Sequence, residues 1–346
     1  MNIKKSITSI SIVVISALMI YGLILVRQIF SDNTKFEETE VFVYIPTDSD
    51  YEAVKKIVAP YVDDMDRFDA VANKKKYPNN VKPGKFLFKK GMNSNELINA
   101  LRINNEVKLS FNNQERLEDF AGRIGSQIEA DSLSLLTSFK DSTFLKENGF
   151  NEENVLTMFI PNTYEIFWNT SADKFRDKMI KEYRNFWNDE RIAKAKAQGL
   201  TPTEATILAS IVHKESVKKD ERPRIAGVYL NRLHKGILLQ ADPTVIYAVK
   251  KKSNDFKQVI KRVLNKDLQV ASPYNTYYSA GLPPGPIAMP DITAIEAVLN
   301  PEKHNYIYFC ASVDRFGYHE FAVTQAEHEQ NAKKYYNWIN SQGVKR

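Results

Sequence analysis

The sequence predicts a mixed α+β fold behind an N-terminal transmembrane helix. Three observations carry that expectation: an uncharged apolar run at the start, helix-start signals that alternate with short strand patterns, and a length suited to more than one core. Ser6 to Val26 is about 21 residues without a charge, enough at 1.5 Å per residue to cross a hydrocarbon layer about 30 Å thick. A cleaved signal peptide has a shorter apolar region and a small-residue cleavage site, whereas this run leaves through Arg27-Gln28-Ile29-Phe30. Lys4 and Lys5 precede it and Glu37, Glu38 and Glu40 follow, so residues 1–30 are expected to form a cytoplasmic N-terminus and membrane anchor, with the remainder extracytoplasmic.

Residues 31–105 read as a small α+β unit. Val41 to Ile45 alternates like a strand, and Asp48 or Ser49 is placed to cap a helix over Tyr51 to Val62, where Val54, Ile57, Val58 and Tyr61 recur at helical spacing. The Pro83-Gly84 turn leads into Phe86-Leu87-Phe88, and Asn93 or Ser94 caps a helix reaching Ile103. Residues 106–195 begin with Val107 to Phe111 and continue in a mostly helical pattern, interrupted at Phe159 to Tyr164 by a Pro-Asn turn signal. The aromatic residues Tyr164, Phe167, Trp168, Phe175, Tyr183, Phe186 and Trp187 are read as core.

Residues 196–346 form the most legible section. Thr201-Pro202-Thr203-Glu204 is a capping box with proline at the first helical position, opening a helix that runs to about Lys218. Tyr306 to Ser312 and Tyr318 to Val323 read as a hairpin, and Thr324 to Glu327 is a second capping box ahead of a terminal helix.

Composition narrows the chemistry. The chain has 346 residues, 43% hydrophobic and 26% charged, which excludes a disordered chain or a single small module. Its one cysteine, Cys310, rules out an internal disulfide and sites needing paired thiolates. The net charge of +6 is a small difference between 48 basic and 42 acidic residues. Lys74-Lys75-Lys76 and Lys250-Lys251-Lys252 lack interleaved aromatics and read as solvated loops, so nucleic acid is not expected as a partner. The five histidines contain no H-E-x-x-H pair, and neither a G-x-S-x-G elbow nor a phosphate-binding glycine loop is present; no metal or cofactor is expected.

Carboxylate chemistry remains. At 100° per residue, Leu208, Ile211, Val212 and Glu215 share one stripe, which sets a carboxylate on the apolar face of a helix. A glutamate of ordinary pKa is protonated about once in 500 molecules at pH 7, and burial raises that fraction, as a general acid requires. An equally good reading pairs Glu215 with Arg224 or Arg232 as a scaffold ion pair. Asp242, in Leu239-Gln240-Ala241-Asp242-Pro243-Thr244, is either a second carboxylate for glycoside hydrolysis or a turn-forming Asp-Pro. Glu165, at an aromatic-rich turn, is the runner-up acid. Tyr274, Asn275 and Tyr277 lie in a stretch rich in turn formers and are of the kind that stack on and hydrogen-bond to sugars, although such a loop also serves as plain connection.

Five ordered segments carry a resemblance: Ala209-Ser210-Ile211-Val212-His213-Lys214-Glu215, Asn231-Arg232-Leu233, Leu239 to Tyr247, Tyr274-Asn275-Thr276-Tyr277, and Gly281-Leu282-Pro283-Pro284-Gly285-Pro286-Ile287. Together they resemble the YceG-like endolytic murein transglycosylases. Ile45-Pro46, Pro83-Gly84 and Pro161 to Glu165 are similar to that family's LysM-like and middle portions, so the resemblance spans nearly the whole chain after the anchor. It implies a LysM-like peptidoglycan-binding subdomain over 31–105, a middle section over 106–195 and a catalytic domain over 196–346. The implied reaction cleaves the β-1,4 bond between N-acetylmuramic acid and N-acetylglucosamine of nascent strands without water, leaving a 1,6-anhydro end and terminating elongation.

The family's catalytic glutamate closes the motif I-[IV]-E-K-E, which falls on Glu215. His213 replaces the first glutamate and is expected on exposed helix surface. By the same carry-over Gln240, Asp242, Asn275 and Tyr277 are candidates for holding the acetamido sugars or orienting the acid, and Glu221 for supporting them. Lys85-Phe86 departs from the small residue and tyrosine common in the LysM-like portion. Implied partners are glycan strands and, among proteins, wall synthases (penicillin-binding proteins) and elongation or division proteins, at the cytoplasmic membrane. The alternatives are a hydrolytic muramidase using Glu215 with Asp242, and a noncatalytic wall-binding scaffold.

Overall fold

In the computed structural model, which describes residues 3–341, the apolar run lies in helix α1 (Ile3–Phe30). The membrane span expected from Ser6 to Val26 is not supported there. Among the described residues no helix is long and apolar enough to cross a membrane, and the side chains of residues 6–11, 23 and 25 lie outside the described ones.

The mixed α+β architecture is as the sequence predicts, divided into two units. The first takes the chain to Leu109, with Gln127–Glu129 and Glu165–Thr170. Strand β1 (Glu40–Ile45) pairs antiparallel with β2 (Gly84–Lys89), Val43 opposite Phe86. Alternation sends Val43, Ile45, Phe86 and Phe88 into a core with Val54, Val58, Phe68, Leu97 and Ile98 from helices α2 (Tyr51–Val58), α3 (Met65–Lys74) and α4 (Ser94–Ala100). Asp50, rather than Asp48 or Ser49, caps α2 by accepting the Ala53 N–H. That helix stops at Val58 instead of Val62, because Pro60 has no N–H with which to extend the ladder. Helix α3 was not expected; it takes Lys74 out of the presumed loop and buries Phe68, Val71 and Ala72. Asn93 caps α4 and Glu96 returns the bond to its backbone, a complete capping box. A second two-stranded sheet pairs β3 (Glu106–Ser110) with β4 (Thr163–Phe167).

The second unit holds Ser110–Ser126, Ala130–Tyr164 and the chain from Ser171 onward. Its first helices are α5 (Leu117–Gly125), α6 (Ser132–Phe139), α7 (Ser142–Glu147), α8 (Ala172–Phe186) and α9 (Asp189–Ala197). Phe120, Phe139, Phe159 and Phe175 pack with ring centroids 4.4 to 6.2 Å apart. Of the aromatics expected in the core, Tyr164, Phe175 and Trp187 are buried, whereas Phe167 is 45% exposed because strand alternation turns it to the outer face of β4.

Helix α10 (Pro202–Glu215) starts as the capping box dictates, with both of its hydrogen bonds present. Every residue from Ala205 to Val212 is buried, so the helix is enclosed on all sides and not along one stripe. Helices α11 (Arg222–His234), α12 (Asp242–Ser253) and α13 (Ile292–Leu299) pack against it, adding Ile225, Ala226, Tyr229, Ile295 and Val298 to one core. The helix ends at Glu215 and not near Lys218. Ser216 turns extended and its hydroxyl takes the Lys218 N–H, a local bond that competes with helix continuation. The hairpin β5 (Tyr308–Ala311) and β6 (His319–Ala322) pairs Phe309 with Phe321, and the second capping box opens α14 (Gln325–Ser341). Lys250, Lys251 and Lys252 form the last turn of α12 and not a loop; Lys250 pairs with Glu115 and Lys251 with Glu153.

Candidate active site

All of this site lies in the second unit. Glu215 is the last residue of the enclosed helix α10, which fixes its backbone from the N-terminal side. From α11 the Tyr229 hydroxyl donates to Glu215 Oε1 at 2.5 Å. The expected scaffold ion pair is absent: Arg224 binds Glu302, and Arg232 donates to the carbonyls of Ile307, Leu238 and Leu239 and to Gln240 Oε1. Glu215 is partly buried. Burial pushes its carboxyl up to about 7; the Tyr229 hydrogen bond and the field of His319 act against that rise, and Asp242 adds to it. The acid form is thus far more accessible at neutral pH than in a solvated glutamate.

Glu221, immediately before α11, is 5% exposed. Its carboxylate accepts the His319 backbone N–H at 2.8 Å, and the His319 Nδ1 lies 2.8 Å from Oε2. The Ser216 hydroxyl reaches the same carboxylate at 3.4 Å, so Glu221 joins the end of α10 to the hairpin. On the other side of Ser216, its carbonyl accepts Arg222 Nε at 3.0 Å, and Arg222 Nη1 holds both oxygens of Asp291 at 2.7 and 2.8 Å. His213 enters this cluster, with Nδ1 3.3 Å from Asp291 Oδ2 and 3.3 Å from Arg222 Nη2. The expectation of His213 on open helix surface is thus corrected: its side chain is 16% exposed. Burial alone would raise the Asp291 pKa, but hydrogen bonds from His213, Arg222, Thr293 and the Ala294 N–H hold it well below the ordinary carboxylate range.

The remaining candidates separate into open and enclosed groups. Gln240 is exposed and carries φ of +51°, a left-handed backbone costly for a side chain, with its N–H held by the Thr276 carbonyl at 3.1 Å. Asp242 opens α12 and accepts the Tyr277 hydroxyl at 2.8 Å; burial first, then Asp242, pushes that phenol above its ordinary range. Asn275 is 0% exposed, and its amide is consumed by the carbonyls of Leu268 and Val270 and by the Tyr277 N–H. Asn275 therefore braces the loop that presents Tyr277 and does not reach a ligand. Tyr274 is likewise withdrawn from sugar contact: it is buried against Tyr247 and donates to Glu153 at 2.7 Å. Glu165 is exposed on β4.

Sequence reasoning missed Tyr229, His319, Arg222 and Asp291. Nothing local marks them, because each reaches the end of α10 from another element. A cleft of about 170 Å³ is lined by Lys214 and Pro243, the chain neighbours of Glu215 and Asp242, with Glu115, Ile246, Tyr247, Lys250 and Ile287. A groove of about 760 Å³ lies elsewhere, along Thr203, Ile207, His234, Leu282 and Pro283. Among the described residues no group of three or more His, Cys, Asp or Glu side chains is arranged to hold a metal ion.

Residues 43–334 match the model of the YceG-like family. The chain is 28% identical over 348 residues to the endolytic murein transglycosylase of Bacillus subtilis (strain 168), covering 93% of this chain and 91% of that one. It is 32% identical over 181 residues to the endolytic murein transglycosylase of Streptococcus pneumoniae serotype 2, covering 51% of this chain and 31% of that protein. Among solved structures, a YceG-like protein from Listeria monocytogenes superposes with a TM-score of 0.56 at 26% identity, over 85% of this chain and 99% of that one.

Proposed function

The chain belongs to the YceG-like family, and on that premise we propose that it is a lytic transglycosylase of peptidoglycan in which Glu215 serves as both acid and base. One observation carries the assignment of Glu215. It is a carboxyl pushed up to about 7 by burial at the C-terminal end of a buried helix, where the Tyr229 hydroxyl donates to it and no cation among the described residues forms an ion pair with it.

In its acid form Glu215 gives its proton to the glycosidic oxygen between N-acetylmuramic acid and N-acetylglucosamine as that C–O bond breaks. The muramoyl C6 hydroxyl then attacks the anomeric carbon, and its proton returns to the Glu215 carboxylate. No water is consumed, and the product carries a 1,6-anhydro ring. In this reading Gln240, Asp242 and Tyr277 contact the sugars, Asn275 orients Tyr277, and Glu221 holds His319. Because the substrate is wall material, action outside the cytoplasm belongs to the proposal.

The test is product analysis by mass, with the chain incubated on uncrosslinked glycan beside Glu215→Gln. Anhydro ends formed by the wild type and lost in the variant support the reading. Ends one water heavier favour a muramidase using Glu215 with Asp242, which sits close enough to act on the Glu215 charge. No cleavage by either form favours a wall-binding scaffold.

A further inference from the structure

We propose that Tyr229 is a positioning residue that divides the labour of the Glu215 oxygens: Oε1 is held by the phenol, and Oε2 carries the proton exchanged with the sugar. This rests on the reading of Glu215 as acid and base.

The Tyr229 hydroxyl has one hydrogen, and it points at Oε1 over 2.5 Å. The ring cannot swing away. It is 1% exposed, and Phe309 meets it edge-on at 5.7 Å. Phe309 is in turn backed by the His319 ring at 5.1 Å, which Glu221 fixes through both its backbone and its Nδ1. Burial, followed by the adjoining Glu215, pushes the phenol well above its ordinary range, so it stays a donor at any working pH. An oxygen already receiving a hydrogen is the poorer site for a second, which leaves Oε2 for the transferable proton. Once that proton has gone, the same hydrogen bond favours the carboxylate and opposes the effect of burial. It keeps the acid from holding its proton too tightly to release.

Other charged or titratable groups also face this pair. Asp242 acts on Glu215 from α12, His319 from β6 and Tyr277 from its loop, while Arg232 acts on Tyr229 from within α11. Tyr229→Phe leaves all of them in place and removes one oxygen, so their effects cancel in the comparison.

The experiment uses the full chain with ¹³C-labelled glutamate carboxyls, the Glu215 resonance being identified by its loss in Glu215→Gln. Tyr229→Phe is expected to raise the Glu215 midpoint by about one pH unit, the size of one charge-assisted hydrogen bond. Fluorinating the Tyr229 ring beside its hydroxyl makes a stronger donor without changing the fold and is expected to lower the midpoint. In anhydro-end formation, Tyr229→Phe is expected to reduce kcat about tenfold, leave KM within about twofold and move the alkaline limb of the pH profile upward. A midpoint that does not move, or that moves the same way in both variants, overturns the Tyr229 proposal alone. Anhydro ends still formed by Glu215→Gln overturn the acid assignment beneath it.

Discussion

Replacing Glu215 by glutamine should stabilise the second unit, increasingly so as the pH rises. The folded chain holds the Glu215 proton with a pKa of about 7, against an ordinary value of 4.5. Between those values the unfolded chain has lost a proton that the folded chain keeps, so wild-type stability falls as pH rises through the window and levels off above it. The difference of about 2.5 pH units corresponds to about 3 kcal/mol at most, the retained solvent contact of Glu215 reducing it. Glutamine has no proton to lose, and its carbonyl still accepts the Tyr229 hydroxyl. Urea unfolding of both forms from pH 4.5 to 8.5, following the transition of the second unit, should show near-equal stability at the acid end. Toward pH 8 the variant should pull ahead by up to about 3 kcal/mol. A difference that is constant across the range, or one that favours the wild type at high pH, would refute the claim that burial governs this carboxyl.

Two further substitutions probe the scaffold around it. Asp291→Ala leaves the Arg222 guanidinium, 3% exposed, without its carboxylate and should cost about 3 kcal/mol at pH 7 in urea unfolding. Because the Asp291 pKa is depressed, the stability it confers is present above the ordinary aspartate range and is lost as pH falls, so the penalty should shrink toward pH 3. Gly285→Ala would set a Cβ 1.9 Å from the Glu153 carbonyl oxygen, a backbone atom that can yield only by moving the loop. A thermal melt should register a loss of about 2 to 3 kcal/mol, and a wild-type melting point would show that the loop gives way.

Local chemistry made much of this molecule readable in advance. Thr201 to Glu204 and Thr324 to Glu327 announce their helices because a capping box is complete within four residues. Strands β1 and β2 are visible because one face is buried and the other is not. Glu215 stood out as a carboxylate among apolar neighbours. The partners that give it meaning did not, since the Tyr229 bond spans 14 positions and the Glu221 contacts with His319 span 98. The same reason explains Asn275 and Tyr274: whether a polar loop residue faces a ligand or its own loop depends on carbonyls at Leu268 and Val270 and on the distant Glu153. His213 is the clearest reversal. Helical spacing alone left it outside, and Asp291, far along the chain, drew it into an ionic cluster.

The position of the acid on the final turn of α10 has one more consequence. Peptide dipoles along a helix of 14 residues add up to a partial negative charge at the C-terminal end, where Glu215 stands. An anion formed there meets carbonyl oxygens instead of amide hydrogens, so the secondary structure itself resists ionisation. This bias is built into the backbone and survives any side-chain substitution that keeps the helix intact. On the first turn of a helix the dipole would instead favour the carboxylate by about half a pH unit, while burial would still raise its pKa.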